Sequence, residues 1–274
     1  METLKNRNIF INLFLIFIAL LTFYPFFFTV MTSFKDNDQF FTNFWGLPSP
    51  MIFANYSDAF VAMVPFMINS LIICVFSIAG ILITASLSAY TFARLRFPAK
   101  EIIYLTVLAL LMIPGMLLLI PQFILLRDLR LLDTYMGIIV GYISIHQAFS
   151  IFIMRSFFDA QPDELFEAAR IDGCTEIQAY YRIAIPLIKP VMGTVAIMTL
   201  LAMWNDYIWP LIVTTDPTML TVALGLLRFT GTFTVTLFGP MFAAFVVSSL
   251  PLIILFLFLM RSFVEGLTTG AIKA

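Results

Sequence analysis

Six long apolar runs limit what this chain can become. They cover residues 9–31, 69–92, 102–125, 136–154, 191–209 and 241–260, and about 20 residues suffice to cross a bilayer. Hydrocarbon offers no partner for a backbone N–H or C=O, so each such run must close its hydrogen bonds as a helix. The expected fold class is therefore all-α and polytopic, with six transmembrane helices in one transmembrane domain over 1–274. Composition agrees: 61% of residues are hydrophobic and 11% charged, and the charges gather between the runs. A net charge of −1 provides no basic footprint for nucleic acid.

The runs differ in ways that bear on function. The first is too long for a signal peptide and lacks a small-residue cleavage site, so it is read as a retained span. Residues 32–67 follow as an aqueous stretch, with a short interfacial helix expected at 56–66. The second run is rich in Ser, Ala and Gly, which suits close helix packing. Pro114-Gly115 and Pro121 interrupt the third, as kinks for packing. The fourth holds His146 and Gln147, and the histidine is expected to bond between helices. The fifth ends in Trp204-Asn205-Asp206. An aspartate at the bilayer centre costs about 2.5–3.5 kcal/mol, so Asp206 is either interfacial or pathway-lining. Trp204, Tyr207 and Trp209 resemble an aromatic belt and favour the interface. Residues 214–239 form a loop with room for a short surface helix.

Eleven of the fifteen basic residues fall on one side if both termini are cytoplasmic: Lys5, Arg7, Arg94, Arg96, Lys100, Arg155, Arg170, Arg182, Lys189, Arg261 and Lys273. Lys35, Arg127, Arg130 and Arg228 fall on the other, so the basic side is assigned to the cytoplasm. Cys74 and Cys174 have no partner-like spacing, and one histidine with no cysteine cluster leaves too few ligands for a zinc site.

The most charged segment lies in that cytoplasmic set. Residues 159–176 carry six of the sixteen acidic side chains, Asp159, Asp163, Glu164, Glu167, Asp172 and Glu176, interleaved with arginines. Residues 161–186 read as two short helices. Pro162 suits a first helical position, and Asp163 and Glu164 oppose the helix dipole. Leu165, Phe166, Ala169 and Ile171 give an uneven apolar side, and Ala168 and Ala169 admit close approach. Gly173 suits a left-handed stop. Thr175 and Gln178 form a capping-box pattern for the second helix, and Pro186 is expected to break or kink it.

The segment resembles a known signature. Glu167-Ala168-Ala169, three residues, Gly173, nine residues, then Ile183-Ala184-Ile185-Pro186 is similar to the EAA loop of bacterial ABC-importer permease subunits, with Ile185 where the family has leucine. Asn55-Tyr56, Asn69-Ser70, residues 89–100, Ile113-Pro114, Trp204-Asn205, Pro210-Leu211 and the tail 266–273 resemble the carbohydrate-uptake branch, nearest the maltose-permease G-type subunits. The resemblance implies a type I ABC-importer permease fold in the bacterial cell membrane, moving sugars or oligosaccharides. It implies a coupling helix at 167–173, with Glu167, Ala168, Ala169, Asp172, Gly173, Ile183 and Pro186 docking an ATPase. The implied partners are a homologous second permease, two cytoplasmic ATPase subunits and an extracytoplasmic solute-binding protein. No glycine is followed directly by lysine, so the chain has no phosphate-binding loop of the Walker A kind. It is read as no enzyme and as holding no cofactor or metal, with ATP and Mg on the partner ATPase. Asn205, Asp206 and His146 are candidates to line the pathway. The competing reading is a secondary transporter or channel, for which only His146 and Asp206 offer ionisable groups inside the spans. An intramembrane enzyme finds no nucleophile–base pair.

Overall fold

The computed structural model describes the backbone of residues 2–231 and 236–271 and the side chains of residues 11–227 and 236–258. The side chains of Lys5, Arg7, Arg228 and Arg261, and Lys273 in the tail, lie outside the described residues. Within them the chain is helical throughout: α1 (Glu2–Thr32), α2 (Asn37–Thr42), α3 (Ala54–Arg94), α4 (Lys100–Ala109), α5 (Gly115–Asp128), α6 (Tyr135–Asp159), α7 (Asp163–Ile171), α8 (Glu176–Ala179), α9 (Ile185–Asn205), α10 (Ile208–Val213), α11 (Val222–Gly231) and α12 (Phe238–Ala271). Five helical stretches are long and apolar enough to cross a membrane, and a bent pair brings the number to six.

Four boundaries depart from the sequence reading, and one of them is the end of the fifth span, expected to reach 209, which comes at Asn205 where Asp206 turns extended (φ −77°, ψ 125°). The expected surface helix at 56–66 is not separate: α3 is one helix of 41 residues with Pro65 inside it. The third span is interrupted at Pro114-Gly115 as expected, but by a 105° turn between α4 and α5 rather than a packing kink, and Pro121 lies inside α5 without interrupting it. Ile113 precedes a proline and is pushed to extended backbone (φ −86°, ψ 120°). Pro114 brings no N–H to continue the ladder, so the chain turns before Gly115 opens α5. Pro186, finally, breaks nothing. The five residues Tyr180–Ala184 widen into a π-helical turn ahead of it. The wider turn accommodates the proline, and α8 runs on into α9.

The chain forms two compact units, Met1–Pro65 with Gly225–Leu250, and Phe66–Leu224 with Pro251–Ala274. The first is held by rings and a buried cation. Phe40 stacks on Phe238 at 4.1 Å, and Phe28 meets Phe44, Trp45 and Phe242. Lys35 is 1% exposed, and its Nζ donates to the carbonyls of Asn43 and Phe44 at 2.8 and 2.9 Å. It thereby satisfies carbonyls left open where α2 ends. No residue in the most apolar stretch of α1 is buried, while 28–44% of the matching stretch in each other single span is.

The second unit carries the functional residues. Its core runs along α3, α6 and α9: Ile81, Ala85 and Ala89 of α3, Ile151, Met154 and Phe158 of α6, and Ile188 and Val195 of α9 are all buried. Alanines at 85, 89 and 184 let the backbones close, which suits packing inside a membrane. Phe166 of α7 and Tyr180 enter the same core, so the short helices after α6 are packed onto the ends of the spans.

Candidate functional site

α7 begins at Asp163, with Pro162 as the residue before it (φ −60°, ψ 134°), one position earlier than a first helical residue. Its end is a Schellman arrangement: Cys174 N–H donates to Ala169 O at 2.9 Å and Gly173 N–H to Arg170 O at 3.1 Å. Gly173 has φ +81°, a conformation that other residues adopt at a cost. The expected capping box is present, with Thr175 and Gln178 bonding reciprocally at 3.0 and 3.3 Å.

The two faces of α7 have different fates. Phe166 and Ala169 are buried at 2% and 7% exposure, so Ala169 serves the contact with the spans. Leu165 and Ile171 stay exposed, as do Glu167, Ala168, Asp172 and Gly173. Ile171 is 85% exposed, with Ile177 of α8 nearby in sequence at 71%. Ile183 and Pro186 are not on α7: Ile183 packs against the core from the π-helical turn, and Pro186 is exposed at the start of α9.

Sequence reading missed the anchor. Arg94, the last residue of α3, has a side chain 6% exposed. Its guanidinium lies 4.3 Å from the Phe166 ring centroid, pairs with Asp163, and donates to the carbonyls of Phe158 and Gln161. A planar fork with several donors is suited to holding a turn and a helix start together. The partners stand more than sixty positions away, so no local pattern announces them. A second tie joins α8 to α3. Glu176 accepts from Arg170 Nε at 2.8 Å and from Tyr90 OH at 3.0 Å, and Tyr180 OH lies 2.7 Å from Ser86 Oγ. Arg155 performs a similar service for α4, over the Tyr104 ring at 3.7 Å and 2.9 Å from Glu101. A cavity of about 530 Å³ here is lined by Arg94, Arg96, Lys100 and Arg170 together with the carboxylates of Asp163, Glu167 and Glu176.

The membrane-embedded candidates separate. Asp206 stands at the break between α9 and α10. Its Oδ1 accepts from Ile208 N–H at 2.9 Å, and its Oδ2 accepts from Tyr142 OH at 3.1 Å. The carboxylate thus caps α10 and ties it to α6. Asn205 is exposed and donates only to Leu201 O at 2.8 Å. The aromatic belt dissolves in two of its three members, since Trp204 and Trp209 are 4% and 1% exposed. Trp209 donates to Ile138 O at 3.2 Å and lies where a β-carbon on Gly141 would stand 2.1 Å from its ring. Only glycine leaves room there. The bond between helices expected of His146 is made by its neighbour: Gln147 Oε1 accepts from Thr84 Oγ1 of α3 at 2.9 Å.

At the opposite end from α7, Asp133 joins two loops. It has φ +56° and accepts from the backbone and hydroxyl of Thr215, from Asp216 N–H at 3.2 Å and from Thr214 Oγ1 at 3.3 Å. These bonds, the Thr215 N–H first, hold its carboxyl below the ordinary aspartate range.

Comparison with known proteins agrees with this architecture. The chain is 31% identical to the probable ABC transporter permease protein YurM of Bacillus subtilis (strain 168), over 98% of this chain and 89% of that one. It is 32% identical to the arabinooligosaccharides transport system permease protein AraQ of the same organism, over 96% and 95%. In fold it matches a chain of a bacterial ABC transporter involved in the import of the acidic polysaccharide alginate, with a TM-score of 0.84, 24% identity, and 96% and 98% of the two chains covered. The family model described as "Binding-protein-dependent transport system inner membrane component" matches residues 81–269, a range that holds α7 with its anchors and the polar residues of α6 and α9. The chain belongs to that family of inner-membrane transport components.

Proposed function

We propose that this chain is the membrane-spanning permease subunit of an ATP-driven, binding-protein-dependent importer of sugars or oligosaccharides. It forms half of the pathway, and α7 is the coupling helix that seats in an ATPase subunit. The observation that carries the reading is the divided surface of α7. One face is locked to α3 by Arg94 and Phe166, and the other presents Leu165, Glu167, Ala168, Ile171 and Gly173 bare. A helix so anchored passes a push to the spans with little slack. The sugar assignment is supported by the likeness to the arabinooligosaccharide permease.

In this reading ATP and Mg bind to two separate ATPase subunits, and this chain holds no cofactor. A homologous second permease completes the pathway, and a solute-binding protein delivers cargo on the far side. Both termini and α7 face the cytoplasm, and Asn205, Asp206 and His146 line the pathway. Purification of the chain with its native partners tests the assignment: an ATPase should accompany it, and uptake into vesicles should stop when ATP is withdrawn. Uptake that persists without ATP but collapses with the ion gradient would mean a secondary transporter instead.

A further inference from the structure

Several polar groups at membrane depth have bonding capacity the chain does not use. Gln147 accepts from Thr84, yet its amide nitrogen has no partner among the described residues, nor has either ring nitrogen of His146 or the side-chain oxygen of Asn205. All three side chains are exposed or half-buried. Facing lipid, each would leave an amide or imidazole unsatisfied at a cost of roughly several kcal/mol. They therefore face water or another polar surface.

They also fall in line. α3 and α6 both run toward the α7 end, as the bonds from Arg94 to Phe158 and Gln161 require. Asn205 adjoins Asp206, which Tyr142 holds at 3.1 Å. Gln147 is five residues deeper along α6, about 7.5 Å at 1.5 Å per residue. Thr84 is bonded to it, and Ser88 and Thr91 continue down the same face of α3 for about another 10 Å. Ser88 and Thr91 donate back to Thr84 O and Leu87 O, each at 2.8 Å, and keep lone pairs free to accept. The result is a strip of amides and hydroxyls through the spans. No lysine or arginine stands in α3 from 69 to 92, in α6 from 135 to 154 or in α9 from 190 to 205. Along residues 69–92, 135–154 and 190–206 the one charged side chain is the carboxylate of Asp206, just past the end of α9.

We infer that this strip, resting on the importer reading above, is a solute lane selective by charge: it passes neutral, hydroxyl-rich solutes and disfavours anionic ones. A neutral sugar finds donors and acceptors at each level. A carboxylate or phosphate finds no cation to replace its hydration and meets a like charge at the mouth. The arabinooligosaccharide permease and the alginate importer described above differ in the charge of their solutes.

The test uses the purified complex with Cys74→Ala and Cys174→Ser and one new cysteine at Thr84, Gln147 or Asn205. Ile72 and Phe76, exposed apolar positions on another face of α3, serve as lipid-side references. Two small thiol reagents of similar size, a sulfonate and a quaternary ammonium, are applied at pH 8 with and without MgATP. The lane positions should react and the references should not. Relative to the free thiol, the ammonium should lead the sulfonate by about tenfold, and Asp206→Asn, which keeps the cap on Ile208, should shrink that lead. Unreactive Thr84 and Gln147 positions in every state, as when a second permease covers them, overturn the lane. Equal rates for both reagents overturn its charge selectivity. Reactivity that ignores ATP counts against the importer reading and leaves the lane standing.

Discussion

Gly173 decides how α7 ends. At φ +81° a side chain costs about 1–2 kcal/mol, although the space around a β-carbon there is open. Gly173→Asp adds that strain and a carboxylate beside Asp172, and Glu167→Lys reverses a charge on the bare face. Neither touches an apolar span, so insertion should survive. Reconstituted vesicles should receive the loaded binding protein yet lose most uptake, with phosphate release either lower or no longer linked to transport. Normal uptake by both variants would remove α7 from the coupling role. Arg94 supports the same helix from below. Arg94→Ala deletes a ring contact and charge-assisted bonds worth roughly 1.5–3 kcal/mol each, so the amides of α7 should exchange hydrogen faster while the core of α3 stays protected. Arg94→Lys keeps the charge but loses the fork, and should recover only part of that protection. Unchanged exchange in both would mean that Phe166 alone holds the helix.

Among elements, those shaped by local chemistry were legible in the sequence and those shaped by distant partners were not. Thr175 with Gln178, and Gly173, act within a few residues, and the structure reproduces their signals. Pro114 and Pro186 were legible as disturbances, though not in their outcome, and Pro65 was not read as one. Pro114 bends the third span sharply, Pro65 is absorbed in α3, and Pro186 is met by a wider helical turn. The same missing N–H has three results because neighbouring packing decides which distortion is cheapest. Trp204 and Trp209 misled for a related reason: an aromatic near a span end suits the interface or the core, and the nearby Gly141 puts Trp209 in the core. The loop bridge at Asp133 was equally hidden, and it yields a pH prediction. The carboxyl is held below its unfolded value near about 4, so its contribution is complete above that value and is lost as pH falls through the lower, folded one. The protection of the Thr215 and Asp216 amides, relative to the intrinsic exchange rate at each pH, should hold from neutral pH to about 4 and fall only below it. In Asp133→Ala that protection should be low throughout, and an acid-dependent loss of protection that survives in that variant would place the titrating group elsewhere.

For the whole molecule, the proposed orientation puts the α7 end inside the cell. Cys174, half-buried beside Gly173, should resist a membrane-impermeant thiol reagent in intact cells and react after permeabilisation, while buried Cys74 stays inert in both. Labelling of Cys174 from outside would invert the topology. The apolar runs made the membrane class plain from sequence, because hydrocarbon imposes one answer on twenty uncharged residues. They said nothing of which runs brace each other, and α1 is the extreme case. The apolar part of α1, Ile11–Thr32, has 22 residues and is about 33 Å long, against a hydrocarbon core of about 30 Å. The excess is relieved by tilting. Helices clasped in the core cannot tilt one at a time, whereas α1 is held toward one end, by the rings of Tyr24 and Phe28 and by buried Thr32, and none of residues 11–27 is buried. When the surrounding membrane thins or thickens, α1 is the helix that leans to follow it, and the packed helices keep their inclination.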